Sequence, residues 1–113
     1  MFTRKIRWHK LADSFGQLYE RVPPNKPLAL SVAGKNLIVC RHEEKLSVLI
    51  DKCPHMGYRL YQGRCENGKI ICPYHRYAFS LEDGMGPGLG LDTFPLEERE
   101  NGLYVGISYF SIF

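Results

Sequence analysis

Two short motifs mix thiols with imidazoles: Cys53-Pro54-His55 and Cys72-Pro73-Tyr74-His75, with sixteen residues between His55 and Cys72. Thiolates and neutral imidazoles are the donors that zinc and iron–sulfur centres take from proteins. Structural zinc sites usually pair cysteine with cysteine in one knuckle and histidine with histidine elsewhere. Here each motif offers one of each. That mixed set suits a dinuclear [2Fe–2S] centre with unlike irons, one between two thiolates and the other between two imidazoles. Placing the electron on the imidazole-bound iron raises the potential above that of a four-thiolate cluster. Zinc is the rival occupant of such a set.

Each motif follows a short apolar run that must deliver it. Leu46 to Ile50 leads to Cys53, and Lys69 to Ile71 leads to Cys72. The remaining extended signals are short and separated by turn residues, as in a small all-β chain. Lys5 to Lys10, Leu18 to Val22, Leu28 to Val32, Leu37 to Arg41, Tyr77 to Leu81, Thr93 to Leu96 and Leu103 to Ser108 are expected to be extended. Ala33 to Asn36, Glu43 to Lys45, Asn67-Gly68 and Asn101-Gly102 are expected to turn. The prolines at 23, 24 and 27 demand a loop, because proline removes a ladder donor. Met85 to Gly90, with four glycines or prolines, excludes regular structure. No window carries helical periodicity beyond two turns. The expected fold is an all-β antiparallel sandwich or barrel bearing a small cluster-binding subdomain.

The 113 residues leave room for one domain, 1–113, with the subdomain at about 51–90. The composition, 44% hydrophobic and 24% charged, is that of a globular chain. No apolar run approaches the ~20 residues that span a bilayer, and the basic start carries no apolar block typical of a secretory signal. Cytoplasmic localisation is expected. Residues 1–45 carry a net +5 and the remainder −2. A total of +3, with no basic run interleaved with aromatics, argues against a nucleic-acid partner. Cys40, ending an apolar run, reads as a core thiol. Cys65, between Arg64 and Glu66, reads as exposed or half-buried. Both are expected to be free, with a Cys40–Cys65 disulfide as the alternative.

The motifs, with Met56-Gly57 after the first, Phe79 after the second, and Phe94-Pro95-Leu96 before a terminal hairpin, resemble the Rieske family, specifically the small soluble Rieske-type ferredoxins. The resemblance covers nearly the whole chain. It implies Cys53 and Cys72 on one iron of a [2Fe–2S] cluster, one per chain, and His55 and His75 on the other. It also implies that Gly84 to Gly90, with Pro87, folds over the cluster as a third loop. Cytochrome bc-type members tie the two ligand loops with a disulfide, at positions that are Tyr58 and Tyr74 here. They also place hydroxyl donors near the cluster sulfurs, where this chain has Tyr77 and Phe79. Fewer donors predict a potential at the low end of the Rieske range, around −150 mV rather than +300 mV. Relatives usually carry glycine after the second histidine, where this chain has Arg76. Either Arg76 is strained at a positive φ, or it adopts a β conformation and sets a cation at the tip.

The resemblance implies an electron-transfer component with no catalysis of its own. It would pass one electron at a time from a reductase to an oxygenase-type partner, through the imidazole edges of His55 and His75. The alternative is a Rieske-like accessory or regulatory small subunit of a larger reductase complex. His9 and His42, the other histidines, are read as surface or strand residues. Met56, Met85, Pro87 and Leu89 are candidates for an apolar rim, Leu89 equally for the core. Gly57, Tyr58, Tyr74, Arg76 and Tyr77 are candidates for shielding or docking. Lys52, Arg59, Arg64 and Arg76 flank the ligand loops, so an acidic partner surface is expected. The redox partners are proteins, without nucleic acid or membrane, and the chain is expected to be monomeric.

Overall fold

The computed structural model describes residues 3–74 and 76–111. The run Leu37-Ile38-Val39-Cys40 lies on β3 (Lys35–His42), and all four side chains are buried. Alternate strand residues point to opposite faces, so this run must be covered on both sides. β3 sits inside an antiparallel sheet in the order β2 (Leu28–Val32), β3, β4 (Lys45–Ile50), β8 (Thr93–Phe94). One face, with Leu37, Val39 and Val48, packs against Leu103, Val105 and Ile107 of a second sheet. That sheet has the order β1 (Thr3–Ala12), β10 (Gly102–Ser111), β9 (Leu96–Arg99). The other face, with Ile38, Cys40 and Leu49, packs against Ile70 and Phe79 of the smallest sheet. Its order is β5 (Arg64–Glu66), β6 (Lys69–Ile71), β7 (Ala78–Ser80). The expected all-β antiparallel architecture is therefore present, and the third sheet carries the ligand loops.

Three expectations are corrected. Leu18 to Val22 is not extended: Phe15–Arg21 forms a helix, α1. Ser14 caps it by accepting from the Gln17 N–H at 3.1 Å, and Leu18 is buried against the sandwich core. Ser14-x-x-Gln17 is the capping-box spacing, but here Gln17 Oε1 accepts from the Asp13 N–H at 2.7 Å. The run Thr93 to Leu96 is split at Pro95 between β8 and β9, which belong to different sheets. Cys65 is buried, with 6% of its surface exposed. Its neighbours Arg64 and Glu66 point outward from the same strand, so the alternation sends the thiol inward.

Phe79 is fully buried beneath the ligand loops. Gly86 of the following loop comes so close that a Cβ there would lie 2.4 Å from Phe79 Cδ1. Phe79→Ala is expected to lower the unfolding free energy by about 3–5 kcal/mol, read from urea denaturation. A cost below about 1 kcal/mol would contradict this packing.

Candidate metal centre

The first motif lies in the connection between β4 and β5, the second between β6 and β7. The two loops are closed by the same pair of backbone hydrogen bonds. In the first, Cys53 N–H donates to Tyr58 O at 2.7 Å and Gly57 N–H to Cys53 O at 2.8 Å. In the second, Cys72 N–H donates to Tyr77 O at 2.9 Å and Arg76 N–H to Cys72 O at 2.9 Å. Gly57 and Arg76 thus occupy equivalent places, and both have positive φ, 76° and 58°. Of the two alternatives for Arg76, the strained one holds. A left-handed conformation costs a non-glycine residue about 1 kcal/mol or more.

These turns bring the donors together. The Cys53 and Cys72 side chains are fully buried. Burial pushes the Cys53 thiol up; the backbone N–H of His55 lowers it, the adjacent Cys72 thiol raises it, and the N–H of Met56 lowers it. His55 Nδ1 lies 3.8 Å from Cys53 Sγ. Its other nitrogen, Nε2, is 3.3 Å from the Pro87 carbonyl. A carbonyl only accepts, so this contact places the proton on Nε2 and leaves the Nδ1 lone pair on the side of the Cys53 sulfur. The Tyr77 ring stacks on the imidazole at 3.9 Å and 14°. His55 is therefore half-buried under a tyrosine and the third loop, less open than an exposed imidazole edge. His75 lies outside the described residues.

The third loop does reach the site. Gly86 N–H donates to Leu89 O, and Met85 bridges Gly90, which folds Pro87 over His55. Met56, Met85 and Leu89 are exposed, at 60%, 58% and 44%, so Leu89 belongs to the rim and not to the core. Where bc-type members carry their interloop disulfide, Tyr58 and Tyr74 meet ring to ring at 4.4 Å. Phe79, in the core, offers no hydroxyl to sulfur.

Asp51 is a positioning residue of the Cys53 loop that the sequence did not disclose. It is 3% exposed and accepts from the backbone N–H of Leu60 and Tyr61, the second at 2.9 Å. Arg59 grips its second oxygen through Nε at 2.9 Å and a terminal nitrogen at 2.8 Å. One carboxylate thus ties the entry to the exit of the Cys53 loop. Arg59, expected as a docking cation, is neutralised here and stacks on Tyr61. Arg64 is paired with Glu66 at 2.7 Å.

A family model for the Rieske [2Fe-2S] domain matches residues 17–89. The chain belongs to the Rieske [2Fe-2S] family. The family carries a [2Fe–2S] cluster, and the donors present suit it: two buried thiols and an imidazole whose Nδ1 lies beside one of them. Among its relatives, the carnitine monooxygenase oxygenase subunit of Acinetobacter baumannii is 28% identical over 88 residues, 76% of this chain and 24% of that protein. The ferredoxin component of the alkene monooxygenase system of Xanthobacter autotrophicus is 29% identical over 79 residues, covering 66% of this chain and 65% of that one. The Rieske chain therefore spans about a quarter of the length of the oxygenase subunit. Among solved structures, an oxygenase–ferredoxin complex of carbazole 1,9a-dioxygenase matches 88% of this chain and 28% of that chain, with TM-score 0.73 and 26% identity. The putative nitrite reductase small subunit of Mycobacterium tuberculosis shares the fold, with TM-score 0.72 at 17% identity over 91% of this chain and 96% of that one. Among the described residues, no helix is long and apolar enough to cross a membrane.

Two outcomes are expected for the loop contacts. Asp51→Ala should cost about 2–3 kcal/mol, because two backbone donors lose their acceptor, and should loosen the Cys53 loop so that iron is lost faster to a chelator. An unchanged urea midpoint would contradict the clamp. In a double-mutant cycle with alanine, Tyr58 and Tyr74 should show about 0.5–1.5 kcal/mol of coupling; additive single effects would remove the aromatic link between the loops.

Proposed function

We propose that this Rieske protein is an electron carrier with no catalysis of its own, and that it takes single electrons from a reductase and delivers them to an oxygenase-type partner in the cytoplasm. Cys53 and Cys72 would hold one iron of the [2Fe–2S] cluster, and His55 and His75 the other. When bound, the cluster supplies one reversible electron at a potential above that of four-thiolate centres. The domain spans 1–113, with its cluster-binding part at about 51–90.

The single observation carrying this reading is the arrangement around His55. Its Nδ1 lies 3.8 Å from the buried Cys53 sulfur while its Nε2 proton is held by Pro87. The chain's residues then have distinct tasks. The Pro87 carbonyl fixes the tautomer, the Tyr77 ring fixes the plane of the imidazole, and the backbone N–H groups of His55 and Met56 stabilise charge on Cys53 sulfur. Burial of both thiols excludes water from the sulfur side. The exposed rim of Met56, Met85 and Leu89 offers an apolar contact surface for another protein. The kinship with the ferredoxin component of a monooxygenase system supports a carrier that serves an oxygenase-type partner.

Anaerobically purified protein is expected to be coloured and to contain iron and acid-labile sulfide in equal amounts, and Cys72→Ser should lose both while retaining β-type circular dichroism. Colourless protein holding zinc would exclude the reading. A redox titration should give a midpoint near the low end of the Rieske range, about −150 mV, because no side-chain hydroxyl comes from Phe79. A clearly positive midpoint would contradict that placement.

A further inference from the structure

The equivalence of the two ligand loops singles out Arg76. Gly57 takes the left-handed conformation without penalty, whereas Arg76 takes it at a cost that glycine would avoid. Its backbone N–H makes a bond that any residue but proline could make. The turn requires the left-handed conformation but not an arginine, so what arginine adds here is its side chain. That side chain lines an open groove of about 320 Å³, with Lys26, Gln62, Arg64, Cys72 and Pro73 among the other lining residues. Three cations face this space and no acidic residue lines it. Arg64 shares its Nε with Glu66, but among the described residues neither Lys26 nor Arg76 is paired with a carboxylate. Lys26 is brought there by the proline loop, which Asn25 O fixes by accepting from Cys65 N–H at 2.9 Å. Like charges gathered at one mouth repel unless an anion joins them.

We propose that this groove is a docking site for carboxylate side chains of a redox-partner protein, seated directly beside Cys72. The inference rests on the carrier reading above and adds the face and the chemistry by which the partner is held. A carboxylate among Lys26, Arg64 and Arg76 would bring the partner against the Cys72 loop, and the charge complementarity would act on the rate of encounter.

The test uses stopped-flow oxidation of the reduced protein by ferricyanide, which takes one electron and becomes ferrocyanide, at low ionic strength where screening is weak. Hexaglutamate peptide is added as the carboxylate probe, and inorganic phosphate at matched ionic strength as the free-anion control. In the native protein, hexaglutamate is expected to slow the reaction several-fold and phosphate much less. The combined variant Arg76→Gly, Arg64→Gln, Lys26→Gln should react more slowly with ferricyanide and lose the peptide effect. Arg76→Gly alone should keep or raise the urea midpoint and weaken the peptide effect. A control removing the same charge elsewhere, Arg4→Gln, Lys5→Gln, Arg21→Gln, should retain it. Equal slowing by peptide in the groove variant and the native protein overturns the proposal. So does loss of the effect in the control variant, and so does phosphate matching hexaglutamate. A protein that shows no colour change with ferricyanide fails earlier, at the carrier reading itself.

Discussion

The structure turns on two backbone hydrogen bonds made twice. In each ligand loop the cysteine N–H reaches forward to the carbonyl five residues on, and its own carbonyl receives the N–H four residues on. These bonds close six residues into a tight turn and aim the thiol inward. They also force a left-handed residue at the fourth position after the cysteine, which Gly57 adopts freely and Arg76 only under strain. The geometry of the candidate metal centre is thus a property of the backbone before it is a property of the side chains. Everything around the loops keeps those two turns facing each other.

Three devices do this with different physics. From below, Phe79 and the small sheet form an apolar floor shared with Ile38, Cys40 and Leu49 of the central sheet. At the flank, the buried carboxylate of Asp51 binds two backbone donors and Arg59, joining the ends of the first loop. Across the top, Tyr58 meets Tyr74 and Pro87 meets His55. The aromatic pair holds the loops by contact area, where a disulfide would hold them covalently.

Much of this was legible in the residue order. The mixed cysteine–histidine motifs, the Asn67-Gly68 hairpin and the strand Leu28–Val32 could be read because short-range spacing dictates them. What could not be read depends on burial. Leu18 to Val22 has strand-like composition, yet one capping serine and one buried leucine make it the end of a helix. Cys65 is flanked by charges and still points inward, because strand alternation outranks neighbouring polarity. Asp51 and Arg59 gave no sign of pairing, since the pairing needs the loop between them to fold back. Arg76 was visible as a departure from glycine; only its φ of 58° decided between strain and a relaxed strand conformation.

The central claim is that both loops contribute one thiolate and one imidazole to a single [2Fe–2S] centre. Pulsed electron paramagnetic resonance on the reduced protein, grown with 15N-labelled histidine, tests it most directly. The account predicts strong couplings to two histidine nitrogens, one of which disappears in the His55→Cys variant. A reduced centre without histidine coupling, or no paramagnetic centre at all, would contradict it.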